Sequence, residues 1–143
     1  MVRTLGTWFG SLKLGVAWCF WHMPMILLQP GAALPSYMPV SVGSVATYLA
    51  QITGIACIMT FVCYNTKGSV LIGVLLHLTF NVSDGVLLNG LPEQTTPILS
   101  AMYMVNVCFI FLTGTAALGC LSLQQSATSG LNKGMKLPLR GSV

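Results

Sequence analysis

Apolar residues in this chain gather into four long runs, at about Leu12 to Leu28, Val40 to Cys63, Ser69 to Leu88 and Pro97 to Leu121. An α-helix rises about 1.5 Å per residue, so about 20 residues cross a hydrocarbon core of about 30 Å, and each run is long enough to do so. The segments between them, "QPGAALPSYMP", "YNTKG" and "NGLPEQTTP", are short and rich in turn formers. Short connections put consecutive helices side by side and antiparallel. The pattern predicts an all-α fold, a polytopic membrane bundle of four transmembrane helices within residues 1–121. A flexible basic tail is expected over 122–143, where Ser, Gly, Lys and Pro replace the apolar run.

Composition points the same way. Of the 143 residues, 55% are hydrophobic and 6% charged, against about 25% charged in soluble domains. Such a chain cannot cover a water-facing surface, and the lipid bilayer is its expected surrounding. The net charge of +4 reads as a topology signal, with no nucleic-acid partner implied. If the four runs cross in alternation, Arg3, Lys13, Lys67, Lys133, Lys136 and Arg140 all fall on one side, and Glu93 falls on the other. The positive-inside rule then places both termini in the cytoplasm. The N-terminal run also resembles a secretory signal, but His22 and Pro24 within it argue against that. The five cysteines are scattered through the apolar runs with no C-x-x-C spacing, which argues for small buried residues and against a disulfide framework.

Inside the runs the ionisable side chains are His22, His77 and Asp84. Such residues are costly in lipid and are functional candidates for that reason. His22 follows Lys13 by nine residues and His77 follows Lys67 by ten, so two spans running in the same direction hold both imidazoles about 14 Å below one interface. In "HLTFNVSD" Asn81 and Asp84 follow His77 by four and seven, which puts the three on one helix face. Trp18 lies a turn before His22, and Pro24 removes a helix hydrogen bond beside the ring and is expected to help aim it inward. Two imidazoles meeting beside one amide, in a cavity shielded from lipid, are the expectation. In the second run Ala46, Ala50 and Gly54 form a small-residue stripe read as packing, with Gln51 as interhelical glue.

A pair of neutral imidazoles begins a site for Zn2+ or another divalent metal, and an Asn adds an oxygen or orients a carbonyl. Peptide hydrolysis further requires a group that activates water and donors for the oxyanion. The chain has two carboxylates: Glu93 in a loop on the far side, and Asp84 about 10 Å along the helix from His77.

The stretch "GVAWCFWHMPMILL" resembles the second motif of the CPBP family of intramembrane proteases, an aromatic, three residues and then His. "YNTKGSVLIGVLLHLTFN" resembles the third, a basic Gly-Ser turn opening a helix that bears His, three residues and Asn. The motifs stand in the family's order, and the likeness covers about Gly10 to Leu88. The family includes CAAX prenyl endopeptidases and bacterial, Abi-like relatives linked to bacteriocin processing and self-immunity. The resemblance implies an intramembrane metalloprotease acting on a peptide or prenylated-peptide substrate, in the bacterial cytoplasmic membrane. It gives His22, His77 and Asn81 catalytic and metal-binding roles, and Trp18 the place of the opening aromatic, with packing as its role.

The family's first motif, two adjacent glutamates followed by arginine, is missing, and "MVRTLGTWFGSLKLG" resembles the loop downstream of it. An N-terminally truncated or degenerate chain, inactive as it stands, is the expectation. Two other functions fit the residues: a non-catalytic immunity or peptide-binding membrane protein, and a bis-histidine haem protein moving electrons.

Overall fold

The computed structural model of the chain describes residues 4–29, 33–35, 37–89 and 96–134. All regular structure in them is helical: α1 is Thr4–Leu28, α2 is Val42–Asn65, α3 is Val70–Asn89 and α4 is Thr96–Gly134. The four apolar runs each became one helix. Three stretches, Gly6–Leu28, Val42–Asn65 and Pro97–Leu131, are long and apolar enough to cross a membrane, and α3 contributes a shorter apolar stretch, Val70–Ser83.

Contacts between helices give their directions. Ser11 meets Thr60, and His22 meets Tyr48, so α1 and α2 are antiparallel. Gln51 meets Tyr103, and Cys57 packs with Leu118 and Leu121, so α2 and α4 run together. Gly73 lies against Cys63 and Met59, whereas His77 and Asn81 share a cavity with Tyr48 and Ile52, so α3 opposes α2. The helices alternate in direction, and α1 and α3 are parallel.

α2 is the centre of the bundle. Its residues from Gln51 to Cys57 are all buried, because α1 packs on one side and α4 on another. α1 offers a stripe of buried positions at Ser11, Gly15, Cys19 and Ile26, and α4 offers Leu99, Tyr103, Val107, Ile110, Gly114, Leu118 and Leu121. Spacings of three and four are those of one helix face. Glycines set the closest approaches. A Cβ on Gly54 would stand 2.8 Å from the Phe111 Cα, one on Gly114 would run into the Gly54 carbonyl oxygen, and one on Gly15 would stand 2.8 Å from the Thr53 Cα. Gly54 is thus the packing residue of the predicted stripe, whereas Ala46 is exposed.

The outer surface is apolar. Phe20, Trp21, Val42, Val70, Leu71, Val105, Phe109 and Leu112 all point away from the core, Trp21 with 79% of its surface exposed. Side chains of this kind around three helices of spanning length belong against hydrocarbon; a water-soluble monomer rarely exposes so large an apolar area. The protein is a membrane-embedded helical bundle.

The ends of α2 are locally encoded. Ser41 is the N-cap: its hydroxyl accepts the Ser44 backbone N–H at 3.1 Å, and its own N–H donates to the Ser44 hydroxyl at 2.8 Å. This is a reciprocal cap with Ser in the third position, where Glu or Gln is usual. At the other end the Gly68 N–H donates to the Cys63 carbonyl and the Lys67 N–H to the Tyr64 carbonyl. That Schellman pattern uses Lys67 at φ 55° and Gly68 at φ 85°. It turns the chain within "NTKGS", so α3 starts beside the end of α2.

Two boundaries differ from the hydropathy pattern. α1 begins at Thr4, ahead of the apolar run, and the added turns are packed: Trp8 bonds Ser122, and Ser11 is buried and bonded to Thr60. α4 continues to Gly134 through residues expected to be flexible. Between Leu121 and Gly134 no proline intervenes, and the hydroxyls of Ser126, Thr128 and Ser129 donate back to carbonyls of the preceding turn. Over 39 residues the helix measures about 58 Å, well beyond the about 30 Å hydrocarbon core. The Trp8 indole N–H donates to the Ser122 hydroxyl at 2.9 Å, fastening α1 to the start of that extension. Arg3, Glu93, Lys136 and Arg140 lie outside the described residues.

Candidate functional site

His22 and His77 are brought to one place. Together with Trp18, Tyr48, Gln51, Ile52, Ile55, Phe80 and Asn81 they line a cavity of about 50 Å³ between α1, α2 and α3. α1 and α3 are parallel, and the shared cavity sets His22 and His77 at one level along the bundle, as the spacing to Lys13 and Lys67 implies. α1 runs unbroken through Pro24, and His22 is half-buried on the edge of the stripe that faces α2.

Each ring is held by a hydrogen bond within its own helix. The His22 Nδ1–H donates to the Trp18 carbonyl at 3.0 Å, which fixes a proton on Nδ1, so a neutral ring keeps its lone pair on Nε2. The Asn81 amide donates to His77 Nε2 at 3.0 Å, so a neutral His77 also carries its proton on Nδ1. The rings touch aromatic neighbours. Trp18 stacks on His77 with centroids 5.1 Å apart, and His22 meets Tyr48 edge-on at 5.9 Å.

The cavity is less enclosed than expected. Asn81 is exposed and sits at the rim, and both histidines are half-buried. The cause is the light packing of α3. Among its described side chains only Gly73 is buried, and Leu76, His77, Phe80 and Ser83 form one half-buried face. The backbone of Asp84 belongs to the same helix, and its side chain lies outside the described residues.

α2 supplies lining residues that hydropathy did not flag. Tyr48, Ile52 and Ile55 share a face by their spacing, and Gln51 lies beside them. Gln51 also acts as the expected interhelical glue: its Oε1 accepts the Tyr103 hydroxyl at 2.9 Å, and it is 2% exposed. Asn106 and Thr113 of α4 line no part of this cavity.

A catalytic zinc takes three protein ligands and keeps one open position. The described residues contain no group of three His, Cys, Asp or Glu side chains suited to a metal. Two imidazoles are one ligand short, and His77 Nε2 already accepts from Asn81. The described donors alone do not complete such a centre. A haem is a poorer match still: pockets for ligands of that size run to about 300 Å³ and more, and here the space is about 50 Å³ with Trp18 against His77.

No protein-family model, curated protein or solved structure matches this chain.

Proposed function

We propose that this chain carries the imidazole and amide portion of an intramembrane endopeptidase site of the CPBP, CAAX-protease type, acting on peptide or prenylated-peptide substrates in a bacterial cytoplasmic membrane with both termini cytoplasmic. The observation that carries this reading is the convergence of His22, His77 and Asn81, from two parallel helices, on a single cavity. The sequence likeness around His22 and around His77 and Asn81 supports it.

In that reading a neutral His22 offers its Nε2 to accept a proton or a hydrogen bond, its tautomer set by the Trp18 carbonyl. Asn81 is an N–H donor beside His77 and lies at the rim, where a substrate carbonyl or a developing oxyanion would approach. A divalent metal such as Zn2+ would take the His22 Nε2 and, with the Asn81 N–H turned away from it, the His77 Nε2, would need a further ligand that the described residues do not supply, and would bring Lewis-acid polarisation. The chain has no paired glutamates, so these 143 residues by themselves bind substrate without cleaving it. The same fact favours the second reading, a non-catalytic immunity or peptide-binding protein.

The test is binding of a short prenylated peptide to the full chain in nanodiscs. Saturable binding is expected, weakened at least tenfold in His22→Ala, His77→Ala and Asn81→Ala, with no cleavage. Binding insensitive to all three substitutions would overturn the assignment. The coding DNA ahead of Met1 separates the two readings: an in-frame Glu-Glu-Arg motif favours the protease, and an in-frame stop favours the binding protein.

A further inference from the structure

Trp18 is the residue that both imidazoles share. Its carbonyl accepts the His22 Nδ1–H at 3.0 Å, its ring lies 6.4 Å from the His22 ring, and its indole stacks on His77 at 5.1 Å with the planes 30° apart. The first two contacts are within α1, but the third joins α1 to α3. α3 needs such a link: it packs chiefly on α2 and buries only Gly73 among its described side chains. The main core does not depend on it. Cys19, Ile26, Leu34, Tyr48 and Ile52 form one buried cluster, with Trp18 at its margin, and Gly54 and Gly114 close α2 on α4 independently.

We propose that the Trp18 indole is a positioning residue for the site, setting the place of His77, and with it Asn81, relative to His22. This rests on the reading of the cavity as the functional site and assigns Trp18 a role beyond packing. A flat aromatic face suits the purpose. Offset stacking fixes both the separation and the tilt of the second ring, whereas an aliphatic side chain of equal volume leaves the imidazole free to turn.

The chain has two histidines, so ¹⁵N-histidine labelling of the full chain in nanodiscs gives two ring systems, assigned by His22→Gln and His77→Gln. At one fixed pH, Trp18→Leu is expected to remove the ring-current shift of the His77 ring and broaden its signals. His22, bonded to a backbone carbonyl that the substitution retains, should keep its Nδ1–H signature. Trp18→Phe should restore the His77 shift in part. His77 signals unmoved in Trp18→Leu, or moved equally in Trp18→Phe, would overturn the proposal. Should Trp18→Leu not fold, Trp18→Phe against wild type still decides, because a retained stack keeps the sign of the shift and a lost one abolishes it. The readout needs no substrate, so absence of peptide binding with the stack intact would count against the proposed function and leave the role of Trp18 standing.

Discussion

The Trp18 indole and the His77 imidazole stack at 5.1 Å across the gap between α1 and α3. Aromatic pairs of this kind contribute about 0.5–1.5 kcal/mol beyond the area they bury. A double-mutant cycle with Trp18→Leu and His77→Leu, measured by unfolding in detergent, should give a coupling in that range. Additive effects would mean that the rings merely lie near each other.

The α2–α4 crossing rests on glycine. A Cβ at Gly114 meets the Gly54 carbonyl oxygen, an atom fixed in the helix backbone. Gly114→Ala should cost about 1–3 kcal/mol, as overpacking does. Gly119→Ala, with nothing within 4 Å, should be neutral or stabilise by up to about 1 kcal/mol through helix propensity. Thermal unfolding of the two variants side by side checks the contrast.

Tyr103 is 1% exposed and donates to Gln51 across the same interface. Tyr103→Phe keeps the ring and removes that bond, for a loss of about 0.6 kcal/mol, the average for hydrogen bonds between membrane helices, and at most about 1.7 kcal/mol. Ser11→Ala should fall at or below that average. Its hydroxyl partner Thr60 also bonds the Ala56 carbonyl and keeps that contact.

The alternating helix directions make a topological prediction. With the five native cysteines replaced by alanine, Asn65→Cys, near the basic Lys67, should react with a membrane-impermeant maleimide only from the cytoplasmic face, and Val40→Cys, at the other end of α2, only from the opposite face. Labelling of both from one side would contradict the alternation.

Much of this was legible in the sequence because a bilayer imposes length. A run of about 20 apolar residues has few alternatives to a helix, and alternation then fixes which spans are parallel. That His22 and His77 share a level along the bundle followed from simple counting along α1 and α3. What counting cannot show is how closely helices approach. Gly54 was legible as a packing residue, but its partners Gly114, Ile110 and Phe111 were not, since no local pattern names the opposite surface. Tyr48 escaped notice for a related reason: a single tyrosine in an apolar run looks like any other core residue until His22 is found edge-on to it. The openness of the cavity was equally hidden. It arises from how little of α3 the other helices cover, which is a property of the assembly and has no signature in "HLTFNVSD" itself.

Both imidazoles face one cavity and meet there on Trp18. Of the three tryptophans, Trp18 can be kept as the only one by Trp8→Phe and Trp21→Phe, and solid-state NMR in lipid can then read through-space contacts from ¹³C-tryptophan to ¹⁵N-histidine. Two contacts are predicted, one to each histidine, both lost in Trp18→Leu. A contact to one histidine alone, or to neither, would show that the rings do not share the cavity and would remove the site on which the functional proposal stands.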